Sequence, residues 1–178
     1  RERLTQELNE VLGDRLPNAA DLPHLRYMKM IWQESLRLYP PAWTLHTRLA
    51  HSQDRLPSGA VLPPGAWVFV SPWSLHRNPR WFPDPHRFDP ERFSDEAQRT
   101  RPAFTYIPFG AGGRRCLGES FAEMEGLLIL ATIASTVRLR LVNGQTIRPE
   151  PVMTLRPHVP VQMIVQRVGI SAPHPAVA

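Results

Sequence analysis

Apolar residues recur at helical spacing from the start of the chain: Leu4, Leu8, Val11 and Leu12 lie between charged positions, and Gly13 is a suitable stop. This pattern predicts a short amphipathic helix. A loop with Pro17 and Asn18 leads to a second stripe, Leu25, Met28, Ile31 and Trp32, whose helix must end before Pro40-Pro41 because a proline ring cannot continue it. From Trp43 to Pro72 the texture turns strand-like: Thr44 to Leu49, Ala60 to Leu62, a Pro64-Gly65 turn, then Trp67 to Val70, which together predict a small β-sheet. From Pro72 to Pro108 prolines and aromatics interrupt every periodicity, which predicts an irregular coil packed on the body of the protein. Glu119 to Val137 is the strongest helix, and short strands are predicted around Arg138 to Val142, Val152 to Leu155 and Val161 to Val165. The fold class is therefore mainly α with small β-sheets, of the α+β type. Residues 1–170 read as one unit without internal repeats, and 171–178 as a flexible tail.

Composition changes this picture in three ways. The chain has 178 residues, 42% hydrophobic and 21% charged, which is globular and long enough for a sizeable core. Its 20 prolines reinforce the reading of long irregular stretches. The net charge of +5 is almost all arginine, since Lys29 is the single lysine; these arginines are dispersed, which argues against a nucleic-acid surface. Arginine, alanine and proline richness points to a GC-rich genome and a bacterial cytoplasmic protein. Gly126 to Val137, the longest apolar run, falls short of the roughly 20 residues of a membrane span. Membrane anchoring of a longer parent stays open.

One cysteine, Cys116, rules out a disulfide within the chain. It lies in Phe109-Gly110-Ala111-Gly112-Gly113-Arg114-Arg115-Cys116-Leu117-Gly118, directly before the strongest helix. The glycines allow tight turning and close approach to a flat ligand. The helix N-terminus offers N–H groups and a positive dipole end that favour a thiolate. A phosphate-binding loop fits the same glycines poorly: Gly113 to Gly118 should be followed by Lys and Ser or Thr, and Glu119-Ser120 follows instead. A dinucleotide-binding turn from Gly110 and Gly112 needs a small residue where Arg115 stands.

The loop resembles that of the cytochrome P-450 family, FxxGxRxCxG, with Phe109, Gly112, Arg114, Cys116 and Gly118 at every specified position. At residue frequencies of roughly 5%, chance would supply such a match in about one chain in ten thousand or fewer. Two further motifs follow the family order. Glu34-Ser35-Leu36-Arg37 matches ExxR, and Pro90-Glu91-Arg92-Phe93 matches the PERF-like element, while Leu75-His76-Arg77-Asn78-Pro79 resembles the stretch before the coil.

The resemblance implies haem b (iron protoporphyrin IX), with Cys116 as the axial thiolate ligand to iron. It implies Arg114 and Arg48 on the haem propionates, with Phe109, Gly112 and Gly118 shaping the loop. Glu34, Arg37 and Arg92 would form a buried structural triad. Substrate contacts would come from Ala42, Trp43, Thr44 and Leu45 and from a late turn at Met153, Thr154 and Leu155. No catalytic residue is assigned. His46, His51, His76 and His158 lack metal-ligand spacing and read as ordinary.

As a whole, the resemblance implies the C-terminal part of an incomplete P-450 fold: a piece of a monooxygenase that inserts one oxygen atom from O2 into a hydrophobic small molecule. The distal helix of the family has no counterpart before Glu34, so the isolated chain is expected to be inactive, and a truncated haem-binding or structural piece is the alternative. The expected partner is an electron-donor protein, a ferredoxin, flavodoxin-like protein or reductase, docking on a monomer. Arg115 is expected to contribute to a basic patch for it.

Overall fold

The computed structural model describes residues 1–45 and 47–167. Three helices carry the main core. They are α1 (Glu2–Leu12), α2 (Arg26–Leu38) and α5 (Glu119–Thr136). Leu8 and Leu12 of α1 meet Met28 of α2 and Leu127 and Ala131 of α5, with Leu25 closing the cluster. The first stripe therefore packs as its spacing predicts. Helix α2 begins without a side-chain cap of its own. Instead Glu7 of α1 accepts the backbone N–H groups of Tyr27 and Met28 at 2.6 and 2.9 Å, so a carboxylate from another helix satisfies the orphan donors and the dipole.

The linker between α1 and α2 is more ordered than a plain loop. Asn18 and Asp21 form a reciprocal capping box on a 3₁₀ turn, Ala19–His24, and Arg15 clamps Asp21 through two bonds of 2.6 and 2.7 Å.

Among the described residues the strands form four separate two-stranded antiparallel pairs. In the first region β1 (Arg48–Leu49) pairs with β4 (Trp67–Val68), and β2 (Asp54–Arg55) with β3 (Val61–Leu62). After α5, β5 (Val137–Leu141) pairs with β8 (Met163–Arg167), and β6 (Pro149–Pro151) with β7 (Leu155–Pro157). The strand expected over Val152 to Leu155 is mostly the turn between β6 and β7; only Leu155 is in a strand. Its apolar residues mark the tip of a hairpin, where alternation carries no burial signal.

The proline-rich stretch also holds short helices that the pattern did not show: α3 (Pro72–Leu75), a 3₁₀ turn at Pro90–Phe93, and α4 (Asp95–Thr100). Each starts on a capping side chain, Ser71, Asp89 or Ser94, and two place proline in the first turn, where its missing N–H costs nothing. The stretch packs on α2 through buried Phe82 and Phe93. The flexible tail expected at 171–178 lies outside the described residues, as does His46.

Candidate haem-thiolate site

Cys116 lies on the turn that enters α5 and is exposed. Its N–H donates to the Phe109 carbonyl at 2.9 Å, closing the loop into a narrow hairpin that leaves Phe109 half-buried. Gly110 and Gly112 take positive φ values of 76° and 67°, a region closed to most side chains, so the hairpin depends on both. Gly112 opens a 3₁₀ turn ending at Arg114. Gly118 is the N-cap of α5 and contributes no side-chain cap, which leaves first-turn N–H groups available. A Cβ on Gly118 would lie 3.8 Å from the Cys116 Sγ, so the sulfur rests over the start of the helix.

Arg114 and Arg48 are both exposed, and neither forms an ion pair among the described residues. Arg115 differs. It grips Glu119 one turn on through two hydrogen bonds, the longer 2.6 Å, and this carboxylate raises the Arg115 pKa. The contribution expected from Arg115 to a basic patch is therefore offset by its own neighbour.

Glu34, Arg37 and Arg92 come together at the contact between α2 and the proline-rich stretch. Glu34 and Arg37 have no exposed surface and form a two-point pair, Nε to Oε2 at 2.6 Å and Nη2 to Oε1 at 2.9 Å. The remaining Arg37 donors reach the carbonyls of His76 and Pro85 at 2.8 Å and Arg87 at 3.2 Å, so all five N–H groups are used. Glu34 also accepts the Asp89 N–H at 2.8 Å. Arg92 is held more loosely, with Nε 3.6 Å from Glu34 and lacking a hydrogen bond, while Nη2 donates to the Asp84 carbonyl at 2.8 Å.

The two stretches named for substrate contact, remote in sequence, also meet. Leu155 donates its N–H to the Pro41 carbonyl at 2.9 Å, and the Trp43 indole donates to the Val152 carbonyl at 2.8 Å. Leu45 reaches the cysteine loop, its Cδ2 atom 3.9 Å from where a Gly110 Cβ would stand. Ala42 and Thr44 are half-buried, whereas Thr154 and Met153 at the hairpin tip are exposed, Met153 almost completely at 96%.

One residue that spacing left as ordinary is anything but peripheral. His76 is fully buried, and its Nε2 accepts the Ile107 N–H at 2.9 Å, two residues before Phe109. Burial holds its pKa down to about 4; the charges of Arg37, Arg77 and Arg101 act in the same direction, and a contact with the Arg37 backbone opposes the shift. The signal available in the sequence was its place in Leu75-His76-Arg77-Asn78-Pro79, which metal-ligand spacing does not weigh. No cluster of three or more His, Cys, Asp or Glu side chains among the described residues could hold a metal ion, and no helix there is long and apolar enough to cross a membrane.

The cytochrome P450 family model matches residues 1–165. The chain belongs to the cytochrome P450 family. It is similar to cyclooctatin synthase of Streptomyces melanosporofaciens, with 45% identity over 152 residues, 85% of this chain and 33% of that protein. It is also similar to cyclooctat-9-en-7-ol 5-monooxygenase of the same organism, with 43% identity covering 82% of this chain and 31% of the relative. In structure it matches a crystal structure of a cytochrome P450, CYP102L1, with a TM-score of 0.84 and 29% identity over 94% of this chain and 38% of that one. The chain spans about a third of the length of the curated relatives it matches. Membership in the P450 family implies haem b as the cofactor. The residues present suit it: an unpaired, exposed thiol over an uncapped helix start, between glycines that present backbone rather than side chains.

Proposed function

We propose that this chain forms the proximal, thiolate-bearing part of a monooxygenase that inserts one oxygen atom from O2 into a hydrophobic organic substrate. The observation that carries this reading is the Cys116 sulfur, exposed and seated over the start of α5. The first-turn N–H groups and the positive helix end favour the thiolate there and moderate its electron donation. When bound, haem b supplies the iron at which dioxygen is activated.

Arg114 and Arg48 present guanidinium groups suited to propionate carboxylates, because the planar fork matches a carboxylate in two-point geometry. Phe109, Gly112 and Gly118 hold the loop that presents the sulfur. Glu34, Arg37 and Arg92 serve as a structural lock, joining α2 to the proline-rich stretch. Ala42, Thr44, Leu45, Met153 and Thr154 contribute to the substrate side; the contact between Leu45 and the Gly110 region supports this by linking that stretch to the cysteine loop. The relative named as a 5-monooxygenase supports oxygen insertion as the reaction class.

The complete protein would take electrons from a ferredoxin, flavodoxin-like protein or reductase and act as a monomer in a bacterial cytoplasm. Residues 1–170 would serve as the haem-binding part, with 171–178 as a tail. Helix α5 supports a larger whole. Although its first turns carry Glu119, Glu123 and Glu125, Phe121 and Ile129 are exposed at 62% and 51%, apolar surface that a complete fold would cover. The isolated chain would then lack turnover.

The deciding experiment reduces the haem-loaded full-length protein under carbon monoxide. The red-shifted absorption band of a thiolate-ligated haem is expected, and Cys116→Ala should abolish it. An unchanged band in the variant would overturn the ligand assignment.

A further inference from the structure

A continuous hydrogen-bonded path runs from the buried Glu34–Arg37 pair to the cysteine loop, and it passes through the backbone and ring of one histidine. Arg37 Nη1 donates to the His76 carbonyl at 2.8 Å. The His76 ring then takes the Ile107 N–H on Nε2 at 2.9 Å. The Ile107 carbonyl accepts the Gly110 N–H at 3.0 Å, and the Phe109 carbonyl accepts the Cys116 N–H at 2.9 Å. The peptide groups on both sides of Ile107 are thus tied, one to the ring and one to the loop.

The ring itself is fixed. Tyr106 lies against it with centroids 5.2 Å apart and Phe82 meets it edge-on at 6.4 Å. Tyr106 is anchored in turn by its hydroxyl, which donates to the Gln33 carbonyl at 3.0 Å. Because Nε2 accepts, the neutral ring carries its proton on Nδ1. That Nδ1 is buried and, beyond a contact with the Arg37 backbone, makes no well-formed hydrogen bond. A phenyl ring would fill the same space. What the imidazole adds on the side of the loop is an acceptor for the Ile107 N–H.

We propose that His76 is a positioning residue for the thiolate loop: its Nε2 fixes the Ile107 peptide, and through it the height and orientation of the Phe109–Cys116 hairpin. This rests on the reading of Cys116 as the haem ligand. His76 touches neither sulfur nor haem and acts through the backbone. The same hydrogen bonds link α2, the proline-rich stretch and the cysteine loop. Arg37 sets the His76 backbone, and the His76 side chain sets the loop.

The test compares His76→Phe and His76→Gln in the haem-loaded full-length protein. Phenylalanine keeps the packing and removes the acceptor; glutamine can place its carbonyl oxygen near the former Nε2. Two readouts are taken: amide hydrogen exchange of the peptide containing Ile107, and the rate at which the ferrous carbon monoxide complex loses its thiolate-ligated band. His76→Phe is expected to accelerate both, about tenfold for the loss of one buried hydrogen bond, and His76→Gln to restore most of the difference. Leu8→Ala, in the other core cluster, serves as a control destabilised elsewhere, and should not accelerate band loss at matched temperature below the melt. Unaltered exchange and band loss in His76→Phe would overturn the proposal, as would equal acceleration in the Leu8→Ala control. Failure of the ligand reading is separate: the wild-type protein would then show no thiolate-ligated band at all, whatever stands at position 76.

Discussion

A Cβ atom on Gly126 of α5 would stand 2.5 Å from the indole of Trp32 on α2, closer than atoms of a packed protein approach. The two helices therefore meet backbone against ring. Gly126→Ala should force the indole or the helix to shift, costing about 1–3 kcal/mol of stability despite the better helix propensity of alanine. Chemical denaturation of the haem-loaded protein measures this. Trp32→Leu in the same background should recover part of the loss, and a Gly126→Ala variant as stable as wild type would contradict the close approach.

Arg37 and Arg92 share Glu34 unequally, so their removal should differ. Arg37→Ala strands a fully buried carboxylate and three carbonyls, and a loss of about 3–5 kcal/mol is expected, enough to eliminate soluble protein. Arg92→Ala leaves the two-point Arg37 pair and the Asp89 N–H in place. It should yield soluble protein with a lowered haem-to-protein ratio. Equal yields of folded protein from the two variants would refute this ranking.

Stability should fall as pH drops through the interval from about 6.5 to 4. His76 is held neutral by burial, flanked by Arg37, Arg77 and Arg101 and by uncharged Tyr106 and Phe82. Between those pH values the unfolded chain binds a proton that the folded chain refuses, so its contribution is complete above 6.5 and declines below it, by on the order of 3 kcal/mol in full. Asp21, held down to about 2 by its Arg15 hydrogen bonds, adds a further loss only at lower pH. Melts of wild type and His76→Gln across this range provide the check: the variant should lose most of the slope, and parallel profiles would assign it to other groups.

Arg114 and Arg48 should matter for holding haem rather than for folding. Neither forms an ion pair among the described residues, so alanine at either position should leave the melt of haem-free protein within about 0.5 kcal/mol of wild type. Transfer of haem to an acceptor protein should be faster in both variants, and more so in Arg114→Ala, whose side chain lies on the cysteine loop itself. Unchanged transfer rates would remove both from the propionate role.

Most helices were legible because one-sided burial leaves a periodic trace. Leu4, Leu8, Val11 and Leu12 show it, and the end of α2 follows from two prolines in series. The strands were legible in part, since Trp67 and Val68 lie in a pair but Val152 lies at a hairpin tip. Helices α3 and α4 left no periodic trace because each is only one or two turns long. The cysteine loop was legible because its motif is dense, with specified residues at Phe109, Gly112, Arg114, Cys116 and Gly118. The contact of His76 was not, although the residue stands in the Leu75-His76-Arg77-Asn78-Pro79 stretch, since its partner Ile107 lies 31 residues away.

By itself the sequence determined the three core helices, the family and the residues of the cysteine loop, because helix periodicity, proline placement and a dense local motif depend on neighbours along the chain. Tertiary structure alone decided that Glu7 caps a helix other than its own, that Gly126 must be bare against Trp32, that Arg115 is answered by Glu119, and that the His76 ring accepts the Ile107 N–H. Each of these depends on which groups meet in space, at separations of a few ångströms, and a linear pattern carries that information only where evolution has written it into a compact motif.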